Sequence, residues 1–366
     1  MLVPGLIIDE RFTLTRRLDR GGMGEVWIAR ESEMRDVAIK FILPEQQNAT
    51  LRERFLAEVK TAAQLHSAYT CRVYHWGTHE GSPYMVMELL EGANLAERLR
   101  SFGRVDPVKL AVDYVAQACA ALVEAHALGV VHRDIKPANL FLDERAQQIK
   151  VLDFGVAKAT EAIRASLSSP GGFLGTVAYS PPEQLVAASQ VTVRSDIWSL
   201  GAVLYELLAG FPPFPQDFPE VLSAIAQREP RSLGELRPEV PEGLCRAIQK
   251  CLAKDPQGRW ADVTALLAEL ASYGGSESRA IAERILGDRD ARRQARYDAL
   301  PDLHSEEALV EAVFTPRLAA DGSQRRVVFM LGAGFSAPTR KRECPHFLSC
   351  SNPDRATAIS ARIFSA

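Results

Sequence analysis

His132-Arg133-Asp134-Ile135-Lys136-Pro137-Ala138-Asn139 is the stretch on which the reading of this chain turns. Within eight positions it sets a carboxylate, an amine and a carboxamide beside a histidine, an arginine and a proline. Asp134 can take the proton, or the hydrogen bond, of an attacking hydroxyl, and positioned acid–base groups of this kind contribute roughly 10²–10⁴-fold in rate. Lys136 can offset negative charge on a reacting group, and Asn139 offers a neutral oxygen to a hard cation such as Mg2+. A plain polar loop between a helix and a strand would not need so many specific residue types.

Downstream, the apolar strand Ile149 to Leu152 runs into Asp153-Phe154-Gly155, with Asp153 lying 19 residues beyond Asp134 and Asn139 between them. A carboxylate at a strand end suits Mg2+, which takes few carboxylates and completes its shell with phosphate oxygens. Upstream, Val37-Ala38-Ile39-Lys40 is an alternating strand ending in a lysine. Lys40 can reach the α- and β-phosphates of a nucleotide if an acid on a neighbouring helix holds it. Glu58 fits, because it lies among Phe55, Leu56 and Val59 on the face that should meet the sheet. Further upstream, Leu18-Asp19-Arg20-Gly21-Gly22-Met23-Gly24-Glu25-Val26 sits between two strand-like runs. Gly21, Gly22 and Gly24 would let a hairpin backbone approach phosphates that side chains would exclude. A held triphosphate, a metal to neutralise it and an aimed hydroxyl are the needs of phosphoryl transfer, and each has a candidate here.

Taken in order, these motifs resemble the eukaryotic-like (Hanks-type) serine/threonine protein kinases, particularly their bacterial branch. The resemblance runs from Phe12 to Tyr273 and continues through Gly175-Thr176-Val177-Ala178-Tyr179-Ser180-Pro181-Pro182-Glu183, Asp196-Ile197-Trp198-Ser199-Leu200-Gly201 and Arg259. It implies an α+β, two-lobed fold, with a small β-rich N-lobe carrying one key helix and a larger, mainly helical C-lobe. It also implies ATP with Mg2+ or Mn2+, protein substrates, catalytic roles for Asp134, Lys136, Lys40 and Glu58, and metal ligation by Asn139 and Asp153. Leu18, Gly21, Gly22, Gly24, Val26, Ala38, Lys40 and Phe141 should surround the nucleotide. Met87 takes the gatekeeper position, and backbone groups of Glu88 and Leu90 should bond the adenine edge. Glu183 should pair with Arg259, and Asp196 should brace the catalytic loop by accepting backbone hydrogen bonds. Lys136 and Thr176 resemble the serine/threonine rather than the tyrosine subclass. His126 and His132 are structural in this reading.

Two positions depart from the family pattern. Asp19 stands where the loop usually opens with glycine, and is expected to point to solvent; Pro181 replaces the small residue usual before Pro182-Glu183. Between Gly155 and Glu183 lie Ser166, Ser168, Ser169 and Thr176, expected sites of autophosphorylation through a transient dimer. A phosphate there brings about −1.5 to −2 charges, which Arg133 could bind.

Composition agrees with this reading without requiring it. The chain has 366 residues, 47% hydrophobic and 24% charged, with net charge −3, which gives no global attraction to nucleic acid or an anionic membrane. Six cysteines without paired spacing read as reduced thiols, and the N-terminus lacks the marks of a signal peptide, so a cytoplasmic protein is expected. No apolar run is long enough to span a membrane. Helices are expected over 52–65, from Pro107 to Leu128, opened by Asp106-Pro107 as N-cap and N1, and around 196–208, 219–228, 243–253 and 261–272. The domain reading is a kinase domain at 12–273 (N-lobe 12–89, C-lobe 93–273), a charged, weakly helical linker at 274–325 and a basic tail at 326–366. In the tail, Val327 to Leu331 leads into Gly332-Ala333-Gly334-Phe335-Ser336, which resembles the truncated start of a sirtuin-like NAD-binding domain. Too few residues follow for a nucleotide-binding domain, so a remnant without activity is expected. Cys344, His346 and Cys350 make one short triad without a second half and are read as chance.

Overall fold

Alternation in the first hundred residues builds a sheet with two different faces. The computed structural model describes residues 2–21, 24–32, 35–42, 55–56, 59–154, 174–215, 220–298, 317–318 and 324–325. The chain forms two units, Met1–Gln294 and Ala295–Ala366. In the second, the described residues are the helix end at 295–298 and one short antiparallel pair, Arg317–Leu318 with Gln324–Arg325.

The first unit opens with strands β1 (Ile7–Ile8), β2 (Phe12–Gly21), β3 (Gly24–Glu31), β4 (Asp36–Phe41), β5 (Val73–His79) and β6 (Ser82–Glu88), ordered β1-β2-β3-β4-β6-β5. Every neighbouring pair is antiparallel. Trp27, Ala29, Val37, Ile39, Phe41, Tyr84 and Val86 share one face, buried with Ile8, Phe12 and Leu14. The period of two therefore turns Val26, Ala38 and Lys40 to the other face. The register sets Val26 opposite Lys40, Ala38 opposite Met87 and Lys40 opposite Met85. On that same side Phe55 and Val59, one helical turn apart, pack against Ile42 and Met85. Gly24 is needed for packing as well as for the turn: a Cβ there would lie 1.9 Å from the Phe41 carbonyl oxygen. The sequence reading lacked β5, an edge strand whose mixed residues (VYHWGTH) give no clean alternation.

A second sheet, β7 (Gly92–Asn94), β8 (Leu140–Asp143) and β9 (Gln148–Val151), lies beside the helical lobe. Among the described residues, helices α1 (Leu95–Phe102), α2 (Val108–Ala127), α3 (Pro182–Val186), α4 (Val193–Ala209), α5 (Glu220–Gln227), α6 (Leu233–Leu236), α7 (Glu242–Cys251), α8 (Val263–Leu270) and α9 (Ser276–Asp298) follow the first sheet. α2 and α4 are apolar nearly all round and form the centre of the lobe. Gly201 lets α4 close on α7, since a Cβ there would come within 2.4 Å of Cys251 Cβ. Among the described residues, no helix is long and apolar enough to cross a membrane.

Two local expectations change. Pro107, rather than Asp106, occupies the N-cap of α2 and makes no side-chain capping bond. The Asp106 carboxylate instead accepts hydrogen bonds from Arg104 Nε, at 2.9 Å, and from Arg237. Beyond Gly275, where a charged, weakly helical linker is expected, residues 276–298 form one continuous helix whose first turns pack on the lobe. Ser278, Ile281 and Ala282 of α9 are buried, Ile285 and Leu286 pack on the core, and Asp113 of α2 accepts a hydrogen bond from Gly275 N at 2.8 Å.

Candidate active site

After α2 the chain turns back through the lobe, and the turn is held from the start of α4. Asp196, fully buried, accepts hydrogen bonds from His132 N and Arg133 N, both at 2.9 Å, and from His126 Nε2 at 2.8 Å. These bonds hold Arg133 at a φ of 68°, a left-handed conformation that costs an L-residue roughly 1–2 kcal/mol. Ile135 is buried beneath the loop, and a 3-10 turn, Pro137–Asn139, leads into β8. The Asp134 carboxylate then lies 3.2 Å from Lys136 Nζ and accepts from Asn139 Nδ2 at 2.9 Å. Asn139 Nδ2 also donates to the Asp134 carbonyl at 2.7 Å.

His132 ties this loop to the strand that carries the second carboxylate. Its Nε2 lies 3.0 Å from the Leu152 carbonyl, which can only accept, so Nε2 carries the proton. Nδ1 is then free to accept from Asp134 N at 3.3 Å, and the ring meets Phe154 with centroids 4.7 Å apart. Burial pushes this imidazole below its ordinary pKa, against the pull of Asp196 and Asp134, and it stays neutral in the fold. The unfolded chain takes up that proton near pH ~6.5 while the folded chain does not, so stability falls as pH drops below ~6.5, with a limiting slope of about 1.4 kcal/mol per pH unit. Urea titrations between pH ~7.5 and ~5.5 should show a shallower decline for His132→Phe than for wild type. Equal slopes would refute the assignment.

Asp153 follows directly, with a φ of 47°. Its Oδ1 lies 2.5 Å from Lys40 Nζ, which joins the two lobes across 113 residues of sequence. The Lys40 side chain is 15% exposed and that of Asp153 is 39%, so the carboxylate still opens to the cleft. Glu58, Gly22, Ser166, Ser168 and Ser169 lie outside the described residues, as does the side chain of Thr176. The tail motif at 327–336 and the triad Cys344, His346 and Cys350 also fall outside them.

The residues expected around the nucleotide differ in burial. Val26, Met87, Glu88, Leu90 and Phe141 are half-buried, Ala38 is buried and Leu18 is exposed. A cavity of about 750 Å3 is lined by Thr15, Arg16, Leu18, Arg30, Leu89 and Leu90, among others, but not by Val26, Ala38, Lys40, Met87 or Phe141. Glu88 N donates to the Arg72 carbonyl at 2.9 Å, and the Glu88 carbonyl accepts from Cys71 Sγ at 3.8 Å. Asp19 is exposed and accepts from Arg20 N at 2.8 Å, directed along its own strand.

Other contacts could not be read from sequence. Lys150, 8% exposed in β9, lies 3.1 and 3.2 Å from the two carboxylate oxygens of Glu88, pinning the segment that links the lobes. Its one sequence signal is a lone lysine between Ile149 and Val151. Tyr179 donates to Glu206 at 2.5 Å, and burial pushes the Glu206 carboxyl above its usual range. By contrast, the pairing of Glu183 with Arg259 is one the resemblance implies; the two form a buried double bridge, at 2.7 and 2.9 Å, with Ser195 Oγ donating to Glu183 at 2.7 Å. Burial alone would raise the Glu183 pKa, but the Arg259 guanidinium more than offsets it and the carboxyl is held low.

A metal can be fitted to this donor set. Both Asn139 bonds use its amide nitrogen, so the amide oxygen remains, and Asp153 adds a part-exposed carboxylate. One amide oxygen and one carboxylate match Mg2+, which otherwise relies on water and phosphate oxygens. Among the described residues there is no cluster of three or more His, Cys, Asp or Glu side chains that would suggest a different metal site.

Comparison with known proteins agrees with this geometry. The family described as Protein kinase domain matches residues 12–270. Serine/threonine-protein kinase PknB of Mycolicibacterium smegmatis is 35% identical over 270 residues, covering 72% of this chain and 43% of PknB. Serine/threonine-protein kinase PknD of Mycobacterium tuberculosis is 37% identical over 253 residues, covering 68% of this chain and 37% of PknD. The chain thus spans less than half the length of these curated relatives. The crystal structure of the Mycobacterium tuberculosis PknI kinase domain superposes with a TM-score of 0.60 at 25% identity, covering 74% of this chain and 99% of that one.

Proposed function

This chain belongs to the protein kinase domain family, and from that premise we propose that it transfers the γ-phosphoryl group of ATP to serine and threonine hydroxyls of other proteins. The observation that carries the reading is the Asp134 carboxylate, set by Lys136 and Asn139 in a buried loop while Lys40 meets Asp153 across the cleft. In the reaction a substrate Oγ–P bond forms as the bond from Pγ to the β-phosphate oxygen breaks. ADP leaves, and the hydroxyl proton passes to Asp134. Lys136 offsets charge on the transferred group, and Lys40 orients the α- and β-phosphates. Asn139 and Asp153 would hold Mg2+, which when bound neutralises charge on the phosphate oxygens. Glu58 would hold Lys40, and the Gly21, Gly22 and Gly24 loop would cover the phosphates.

Ser166, Ser168, Ser169 and Thr176 are the acceptors we assign to autophosphorylation, in a transient dimer of this chain. Phosphate in that segment would find a partner in Arg133. Cys71, Cys119, Cys245 and Cys251 are free thiols, in keeping with a cytoplasmic setting for the domain.

Incubation with radiolabelled ATP, Mg2+ and a basic protein substrate, followed by phosphoamino-acid analysis, tests the reading. Phosphoserine and phosphothreonine are the expected products. ATP binding without any transfer would overturn the enzyme, and phosphotyrosine alone would overturn the subclass.

A further inference from the structure

We propose that Gln184 is a positioning residue for Asp134, acting through the peptide bond between Arg133 and Asp134. The proposal rests on the kinase reading above. Gln184 is 5% exposed in α3, and its Nε2 donates to the Arg133 carbonyl at 2.9 Å. On the far side of the same peptide, Asp134 N donates to His132 Nδ1 at 3.3 Å. A peptide unit is planar, with its carbonyl and N–H pointing in opposite directions. Gln184 and His132 therefore grip one rigid plate from its two edges, and the Asp134 Cα is the corner of that plate. Turning the plate would swing the carboxylate away from the hydroxyl it must meet.

The orientation of the amide is fixed by chemistry. The Arg133 carbonyl can only accept, so the NH2 end must face it. Oε1 is then buried without a hydrogen-bond partner among the described residues. Leaving an acceptor unmet is costly, and a methionine would fill the same volume without that cost. The bond to Arg133 is what the amide contributes in exchange.

The placement also defines a route. Gln184 follows Glu183, which Arg259 and Ser195 anchor to the helical lobe. The N–H of Arg133 is held by Asp196, and the residue keeps its left-handed φ of 68° between those two supports. The end of the 155–183 segment is thus connected to the catalytic loop through the Gln184 side chain. A shift of that segment would be passed to Asp134 through this bond.

The test compares wild type, Gln184→Met and Gln184→Glu in the full chain, with phosphate content matched by mass spectrometry. Steady-state rates at varied Mg-ATP give kcat and KM, and nucleotide titration gives the folded, binding-competent fraction. Gln184→Met should lower kcat per competent molecule about 3- to 10-fold, the rate equivalent of one neutral hydrogen bond, with KM for ATP unchanged. Gln184→Glu should lower it further, because a carboxylate oxygen would then face the carbonyl. Unchanged kcat in Gln184→Met would overturn the proposal. So would a loss that vanishes once activity is expressed per competent molecule, since that would make the role one of folding alone. Absence of transfer by wild type would instead defeat the kinase reading on which the proposal stands.

Discussion

Asp134→Asn is expected to slow phosphoryl transfer by about 10²–10⁴-fold while ATP affinity stays at the wild-type value. The substitution is nearly isosteric. Its side-chain oxygen can still accept from Asn139 Nδ2 and lie near Lys136 Nζ, so the loop keeps its shape. What disappears is the acceptor for the substrate proton, because the amide nitrogen has no lone pair to offer. Single-turnover transfer measured beside nucleotide titration separates the two effects. A variant within about threefold of the wild-type rate would remove Asp134 from the chemistry.

The second large effect is on stability. Arg259→Met should cost about 3–5 kcal/mol, because it leaves the Glu183 carboxylate buried without its cation. In a domain of this size the melting temperature should fall by on the order of 10 °C. Arg259 also donates to the carbonyls of Ala253, Arg194 and Lys254, so several loops lose a common anchor. Removing the stranded charge as well, in Glu183→Leu with Arg259→Met, should recover much of the loss, since a buried pair replaced by apolar residues is often near neutral. Urea unfolding of the two single variants and the double variant measures the coupling. A single variant that loses less than about 1 kcal/mol would mean the bridge is not the anchor described.

Much of this site could be read from sequence because its chemistry is packed into short stretches. Asp134, Lys136 and Asn139 lie within six residues, so their types and order alone suggest a proton acceptor beside a metal ligand. The period of two along β4 likewise places Lys40 on the face away from the Trp27 and Ile39 core. Contacts that depend on how distant elements approach were out of reach. Glu88 meets Lys150 62 residues away, and Gln184 meets Arg133 51 residues away; neither partner is marked by its neighbours. The docking of helix α9 was hidden for a different reason. Its apolar residues, Ile281, Ala282, Ile285 and Leu286, make a short stripe diluted by arginines and acids, and so the composition resembles a linker. At α2, Asp106-Pro107 has the residue types of a cap, but the arginines at 104 and 237 draw the carboxylate elsewhere.

The docking of α9 bears on how such a domain can be exchanged between proteins. The family match ends at residue 270, yet Ile281 and Ala282 cover apolar surface formed before it. The unit that recombination or a designed chimera can move intact is therefore longer than the stretch that defines the family. A graft cut at the family boundary would carry the catalytic loop complete and still arrive with part of its core uncovered, prone to stick to its neighbours. A cut beyond Leu286 would travel with its own lid, and a new sensor or partner domain could be joined there without disturbing the chemistry.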